Sequence, residues 1–152
     1  LWILRLAPVY SKSFKINIDR RTKFKNFNYK IGKGLNRLSL CNMKNIEIVI
    51  SSIIRGNIPQ GVYNICDYKT YTFKDLHEIR NKSLILRIPK LFIWLIYKGS
   101  ELLFLDLIKD NCIKLLTDSV YSSKKIRKYV STIHTIEELK ENWIDYQKSL
   151  HF

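Results

Sequence analysis

The segment Leu1–Ser11 opens with a run of large apolar residues that is interrupted only by Arg5 and ends at Pro8. A short apolar run of this kind is typical of a strand buried on both faces of a parallel sheet. Ligands bind beyond the carboxyl ends of such strands, so Arg5–Ser11 is predicted to lead towards a binding crevice. A central strand with no partner strand before it also predicts that an upstream part of the fold is missing.

Alternation and helical spacing predict further elements in the middle of the chain. Arg37–Met43 and Gly61–Cys66 alternate apolar and polar positions like short strands. Lys44–Arg55 has the spacing of an amphipathic helix that ends at Gly56-Asn57. The predicted buried face of that helix consists of Ile46, Val49, Ile50, Ile53 and Ile54. Thr72–Asp75 resembles a capping box and predicts that a helix follows.

Two segments are open to more than one interpretation. Lys12–Lys30 carries seven basic residues against Asp19 alone, with aromatic residues interleaved. This pattern predicts a short amphipathic helix with its phenylalanines inward, and the alternative is a basic surface on which nucleic-acid bases stack. Ser83–Leu107 is the most apolar segment, but its longest clean run, Leu91–Tyr97, is far shorter than the roughly 20 residues that span a bilayer. A core or interface helix is therefore favoured over interfacial membrane contact.

The carboxyl-terminal third predicts surface elements and a closing helix. Asp118–Tyr129 reads as an exposed turn followed by a short basic helix. In Thr135–Glu138, a capping box is predicted, with the Thr135 hydroxyl accepting from the Glu138 amide. The helix that follows is expected to bury Ile136, Leu139, Trp143, Tyr146 and Leu150. Earlier in the chain, Ile31–Asn36 predicts a turn whose two glycines complete no phosphate-binding motif.

Composition narrows the classes of function. The 152 residues are 46% hydrophobic, which argues against disorder, and they carry a formal charge of +14. Such a charge attracts nucleic acid, acidic lipid or a phosphorylated small molecule, although it also fits a lysine-rich composition with solvated side chains. Cys41, Cys66 and Cys112 form no zinc-ligand spacing and predict free thiols in a reducing compartment. Because no signal-peptide pattern is visible, a cytoplasmic location is expected.

Five pieces of the sequence, in this order, resemble the carboxyl-terminal half of an extended short-chain dehydrogenase/reductase. They are similar to motifs of the NAD-dependent epimerase/dehydratase family, which acts on nucleotide-sugars. The pieces are LRLAPVYS (Leu4–Ser11), KIGKGLNRLSLCNMKNI (Lys30–Ile46), GVYNICD (Gly61–Asp67), RIPKLFIWL (Arg87–Leu95) and SSKKIRKYV (Ser122–Val130) with TIEEL (Thr135–Leu139).

The resemblance implies an α/β fold: the carboxyl-terminal part of a Rossmann-like domain with its small, largely helical substrate-binding lobe. Residues 1–152 would form a single fragment whose amino-terminal NAD-binding half is missing. The parent reaction would be hydride transfer through NAD at a sugar carbon, carried out by an epimerase (an isomerase), a dehydratase or a reductase of the kind used in polysaccharide biosynthesis. The glycine-rich loop and the catalytic YxxxK pair of the family lie outside the matched pieces. Tyr121 and Lys125 have that spacing, but they lie at the far end of the chain and are interpreted as a coincidence. Because neither the loop nor the pair is matched, the fragment is expected to be inactive alone.

The resemblance also suggests substrate-binding residues. Tyr10 and Ser11 would border the crevice, and Asn17 matches an asparagine that follows the family's VYG motif. Arg37 would neutralise a diphosphate through its forked donors. Each of these residues has an alternative role as a surface or capping residue. No catalytic residue, cofactor-binding residue or metal ligand is assigned.

The expected partners are a nucleotide-sugar and the missing amino-terminal half or a complementary subunit. The sequence departs from the family pattern at Pro8, Leu38 and Lys44, which weakens the expected phosphate clamp. The first alternative function is a basic nucleic-acid-binding module that uses Lys12–Lys30, although no nucleic-acid-binding motif is present. The second is a non-catalytic relative that acts as an interaction module. Membrane contact is not favoured.

Overall fold

The computed structural model describes residues 1–25, 27–79 and 84–139. The strands are β1 (Trp2–Leu6), β2 (Val9–Tyr10), β3 (Lys23–Phe24), β4 (Phe27–Ile31), β5 (Arg37–Leu38), β6 (Cys41–Asn42), β7 (Gly61–Ile65), β8 (Tyr71–Thr72) and β9 (Leu86–Ile88). The helices are α1 (Ile16–Thr22), α2 (Met43–Ile54), α3 (Phe73–Ile79), α4 (Lys90–Leu102) and α5 (Asp106–Leu116). Short 3-10 turns cover Ile126–Lys128 and Ile136–Leu139.

The first strand is parallel, as its apolar run predicts. β1 pairs with β7 in a register that joins Trp2 to Gly61 and Leu6 to Ile65. Its predicted burial on both faces is wrong for the chain as described, because Trp2, Ile3 and Leu6 are 38%, 44% and 47% exposed. The reason is that β7 is the only strand paired with β1 among the described residues. β1 is therefore an apolar edge strand.

The strand β7 and the helix α2 form one hydrophobic core. Residues on one face of β7 point inward, so Tyr63 and Ile65 are buried. From α2, Val49 is fully buried and packs with Ala7 and Ile58 in this core. The predicted apolar face of α2 is only partly covered, because Ile50 and Ile54 are 45% and 79% exposed.

Local signals set the ends of α2 and α3. The Asn42 side chain accepts a hydrogen bond from the Lys44 amide at 3.1 Å and caps α2, which begins one residue earlier than predicted. Gly56 follows α2 with a φ of +76°, the left-handed conformation that favours glycine after a helix. At α3 the predicted capping box is confirmed. The Thr72 amide donates to the Asp75 carboxylate at 2.7 Å, and the Asp75 amide donates to the Thr72 hydroxyl at 3.2 Å.

A second and a third core hold the remaining elements. Ile18 of α1 and Leu76 of α3 are fully buried with Leu38 and Leu40 in the second core. The third core lies between the α4–α5 pair and β4. It contains Tyr29, Ile31, Ile93 and Cys112. Cys41, Cys66 and Cys112 are all buried free thiols, as predicted.

Three predictions of local structure are wrong in part. Arg37–Met43 is not one strand, because it divides into β5, which pairs with β8, and β6, which pairs with β2. In Lys12–Lys30 the helix is confined to α1, and the chain then forms the β3–β4 hairpin. The phenylalanines of that hairpin face outward: Phe24 and Phe27 are 67% and 65% exposed.

The carboxyl-terminal end differs from its prediction in detail. Ile136–Leu139 forms a 3-10 turn rather than the first turn of an α-helix. The Glu138 carboxylate contacts the Lys44 ammonium at 3.4 Å and the His134 ring at 2.7 Å. The predicted closing helix beyond Leu139 lies outside the described residues. In the part of the chain that the structure describes, no helix is both long enough and apolar enough to span a bilayer.

Candidate functional site

A basic cleft of about 710 Å³ lies between α1, the β3–β4 hairpin and α5. α1 lines it with Asn17 and, about one helical turn later, with Arg20 and Arg21, and α5 adds Lys114. The aromatic side of the cleft comes from the hairpin, through Phe24 and Tyr29. Three cations and no carboxylate line this cleft, so it is suited to a polyanionic ligand such as a diphosphate.

Arg21 is the half-buried cation of the cleft. Burial lowers the pKa of its guanidinium, and the nearby Tyr121 and Tyr29 hydroxyls act in the opposite direction. Among the described residues, no carboxylate forms an ion pair with Arg21. Burying a guanidinium without a carboxylate partner costs free energy, and an anion that binds beside it reduces this cost.

Contacts from side chains to backbone carbonyls hold the hairpin side of the cleft in place. The Tyr29 hydroxyl donates to the Arg20 carbonyl at 3.3 Å, and burial raises the Tyr29 pKa. The His77 Nε2 atom of α3 lies 2.8 Å from the Tyr29 carbonyl and fixes β4 from behind. These contacts join α1, β4 and α3, so the cleft has a rigid side next to the exposed Phe24.

Asn17 is the sequence-predicted residue that lines this cleft. Its amide nitrogen donates to the Val9 carbonyl at 2.8 Å and so ties α1 to the end of β2. Ser11 lies in the loop between them, where its hydroxyl accepts from the Phe14 amide at 3.1 Å. Asn17 and Ser11 therefore both make hydrogen bonds within the fold. Of the two, only Asn17 lines the cleft.

Tyr10 is fully buried, so its hydroxyl has an internal partner. It donates to the Asp67 carboxylate at 2.7 Å, and the Tyr71 hydroxyl donates to the same oxygen at 2.8 Å. The Asn42 amide and the Asn45 side chain donate to the other oxygen at 2.8 and 2.9 Å. We call these five residues the Asp67 network. Tyr10 and Asp67 follow the carboxyl ends of β1 and β7, the end of these strands at which the sequence predicts a crevice.

Burial controls the protonation of the Asp67 network. It raises the pKa of the Tyr10 and Tyr71 hydroxyls far above their ordinary range, and the nearby Asp67 charge adds to the effect. Both tyrosines therefore stay protonated and act as donors. Burial also raises the pKa of Asp67, while the hydrogen bonds that it accepts oppose this rise. In the neighbouring core, burial raises the pKa of Cys41 to about 12, which makes this thiol unreactive.

Arg37 lies apart from the cleft-lining residues. Its Nε atom is 3.4 Å from the Asp118 carboxylate, and its backbone amide donates to the other carboxylate oxygen at 2.8 Å. The Arg37 side chain is 62% exposed. Lys125, which has YxxxK spacing with Tyr121, instead donates to the Val62 carbonyl at 3.1 Å. Within the described ranges, no group of three His, Cys, Asp or Glu side chains is placed to hold a metal ion.

The cleft contains cations that sequence reasoning did not single out as ligands. Arg20, Arg21 and Lys114 come from segments about 95 positions apart in the chain, so their proximity depends on the tertiary fold. The interleaved charges and aromatic residues of Lys12–Lys30 were the available signal for the arginines and Phe24. No comparable local pattern marked Lys114.

No protein-family model and no curated protein matches the sequence. Solved structures do match. A human epimerase family protein with NADPH gives a TM-score of 0.61 at 11% identity, covering 95% of this chain and 47% of the other. GDP-mannoheptose C4 reductase from Campylobacter jejuni with NADP gives 0.58 at 10% identity, covering 97% and 49%. dTDP-glucose 4,6-dehydratase from Bacillus anthracis with NAD gives 0.56 at 13% identity, covering 98% and 45%.

These similarities concern the fold, because the identities are low. The chain spans about half the length of the solved structures that it matches. The fold class expected from the resemblance is confirmed. The chain has a mixed α/β, Rossmann-like fold, similar to about half of each of these epimerase, reductase and dehydratase structures.

Proposed function

We propose that this chain is the substrate-binding portion of an NAD-dependent enzyme that acts on a nucleotide-sugar, and that it is inactive alone. The observation that carries the proposal is the carboxylate-free cleft with Arg20, Arg21 and Lys114 on a fold of this type. The two guanidinium groups and the ammonium group would neutralise the diphosphate of the ligand. Phe24 would offer its exposed ring to the base or the sugar.

A complementary half that binds the cofactor is the second part of this proposal. The exposed apolar residues Trp2, Ile3 and Leu6 on the edge strand β1 support it, because a strand with this composition is ordinarily covered. Hydride transfer also needs a pyrophosphate cradle and a proton-transfer group, and we assign neither to a described residue. NAD, rather than NADP, remains a proposal that comes from the motif resemblance.

The roles of the sequence-predicted residues follow from their contacts. We propose that Asn17 positions α1 at the cleft and contacts the ligand there. Tyr10 and Ser11 would act indirectly, by holding the loop that leads from β2 to α1. Arg37 would reach a ligand only if it released Asp118. The ion pair between them is exposed, so opening it costs little.

Equilibrium binding of a fluorescently labelled UDP tests the cleft. At low micromolar protein, we expect saturable binding that unlabelled UDP-glucose, dTDP-glucose or GDP-mannose displaces. Arg21→Gln and Lys114→Gln should each weaken binding about tenfold, because each removes a charge-assisted hydrogen bond to the diphosphate. Lys124→Gln, which removes one exposed charge elsewhere, is the matched control. If the three variants lose affinity equally, binding is general charge attraction and the proposed site is wrong.

A nucleic-acid-binding function is the second candidate, and one observation favours it. Phe24 and Phe27 project from the β3–β4 hairpin, and the Lys25 ammonium lies 6.0 Å from the Phe24 ring centre. Exposed rings beside cations provide a stacking surface for single-stranded nucleic acid. Binding of a labelled oligonucleotide should then fall steeply with salt and be lost in the double variant Phe24→Ser/Phe27→Ser. Retention of the oligonucleotide by that variant would exclude base stacking on the hairpin.

A further inference from the structure

The outer face of α4 is apolar although it is exposed. Ile93 and Ser100 on the inner face are buried, and Ile93 belongs to the third core. Leu91, Leu95 and Leu102 lie on the opposite side of the helix and are 66%, 54% and 79% exposed. A surface helix ordinarily turns polar residues outward, so this helix has an apolar stripe that no described residue covers.

The turn between α4 and α5 extends this apolar surface. Leu103, Phe104 and Leu105 form the turn and are 65%, 89% and 43% exposed, and Leu107 in the first turn of α5 is 81% exposed. Phe104 has a φ of +54°, a conformation that a bulky side chain rarely adopts. The tip of the α4–α5 pair therefore combines exposed large apolar side chains with a strained backbone. We call α4, this turn and the start of α5 the hairpin surface.

The positive charges near this surface favour an anionic partner. At the amino-terminal end of α4, a groove of about 630 Å³ is lined by Lys33, Arg87, Lys90 and Leu91 and by no carboxylate. The whole chain carries +14, so a second copy of the chain would be repelled, whereas an anionic surface would be attracted.

The acidic residues of the hairpin reduce this attraction without reversing it. Lys98 pairs with Glu101 at 2.8 Å, and this exposed pair is neutral as a unit. Asp106 and Asp110 of α5 are accompanied by Lys109 and Lys114 on the same helix. The local charge of the hairpin is therefore close to neutral, and the attraction to an anionic surface comes from the flanking groove and the rest of the chain.

We propose that the hairpin surface binds an anionic membrane, with α4 lying in the plane of the interface. The leucine stripe and the tip would enter the boundary between headgroups and acyl chains, and Lys33, Arg87 and Lys90 would contact acidic headgroups. Trp94, which is 46% exposed on α4, has the amphipathic ring that such a boundary favours. The membrane would be contacted on one side only, since α4 has 13 residues. This proposal is independent of the proposed nucleotide-sugar cleft.

Vesicle flotation tests the proposal. The full chain is synthesised in the presence of vesicles of phosphatidylcholine alone or of phosphatidylcholine mixed with phosphatidylglycerol. We expect the chain to float with the mixed vesicles and to be released by high salt. The double variant Phe104→Ser/Leu107→Ser should lower the floated fraction relative to the free fraction about tenfold, because it removes two large apolar side chains.

A variant at a distant exposed apolar residue serves as the control. Ile54→Ser removes a side chain of similar exposure (79%) at the end of α2 and should leave flotation unchanged. Limited proteolysis of each variant checks that the fold is kept. Flotation of the double variant at the wild-type level, or no flotation of the wild type, would overturn the proposal. So would a vesicle-free dimer of the wild type that the double variant disperses, because the partner would then be a second copy.

Discussion

Removing the Asp67 carboxylate is predicted to be among the most damaging single changes in this chain. The carboxylate accepts hydrogen bonds from Tyr10, Tyr71, Asn42 and Asn45, and it is only 2% exposed. Asp67→Ala removes the acceptor of the Tyr10 and Tyr71 hydroxyls and of the Asn42 amide, all of which are buried, whereas the Asn45 side chain keeps the His134 carbonyl. Each such donor costs about 1–3 kcal/mol, so the loss in unfolding free energy should reach about 4 kcal/mol even with partial relaxation.

The damage should spread beyond the immediate site. The Tyr71 hydroxyl also accepts from the Ile136 amide at 3.3 Å, and Asn45 donates to the His134 carbonyl at 2.8 Å. The network thus ties the carboxyl-terminal 3-10 turn to β6, α2 and β8. Domains of this size are stable by about 5–15 kcal/mol in total, so Asp67→Ala should remove a large fraction of the stability.

Urea titration with a short protease pulse measures this effect at low protein concentration, which limits association through exposed apolar surface. Asp67→Asn keeps the shape and one acceptor oxygen, so it should cost less than Asp67→Ala. Asp118→Ala removes an exposed carboxylate that pairs with Arg37 and should cost much less than Asp67→Ala. If the two alanine variants had the same unfolding free energy, the network would not stabilise the fold as described.

Three further predictions concern pH and local conformation. Burial lowers the His77 pKa below its ordinary 6.5, so the folded state binds fewer protons than the unfolded state. His77 should therefore leave the unfolding free energy unchanged above pH 6.5 and lower it as the pH drops below that value. In a pH series of urea titrations, His77→Gln should weaken this dependence of the unfolding free energy on pH. Thr72→Ala, which breaks the capping box with Asp75, should cost about 1 kcal/mol in the same assay. Gly56→Ala should also cost about 1 kcal/mol, through its left-handed φ alone, because an added Cβ would contact nothing within 4 Å; an unchanged urea midpoint would contradict either prediction.

Local patterns in the sequence predicted much of the fold. The alternation in Gly61–Cys66 predicted the strand but not which of its faces is buried, and the Thr72–Asp75 spacing predicted the start of α3. The helix after Asn42 was predicted to within one residue at its start. These features depend on backbone geometry and on neighbours within one turn, which the sequence alone contains.

Features that depend on distant residues were less accessible. The outward direction of Phe24 and Phe27 follows from a hairpin, whereas their spacing with lysines also fits a helix. The buried role of Tyr10 depends on Asp67, 57 positions away. The cleft needs α1 and α5, and these come together where Leu115 of α5 packs against the second core, which contains Ile18 of α1. Only Asn17 was identified there in advance, through a motif resemblance rather than through periodicity.

Mapping the ligand on the protein tests the central claim most directly. UDP-glucose is titrated into the isotopically labelled chain, and the perturbed backbone amides are located by NMR. We predict that the largest chemical-shift changes fall on α1 around Asn17 and Arg21, on the β3–β4 hairpin and on α5 around Lys114. Changes centred on Arg37 and Asp118, changes spread evenly over all lysine-rich surfaces, or no changes at saturating ligand would contradict a nucleotide-sugar site in this cleft.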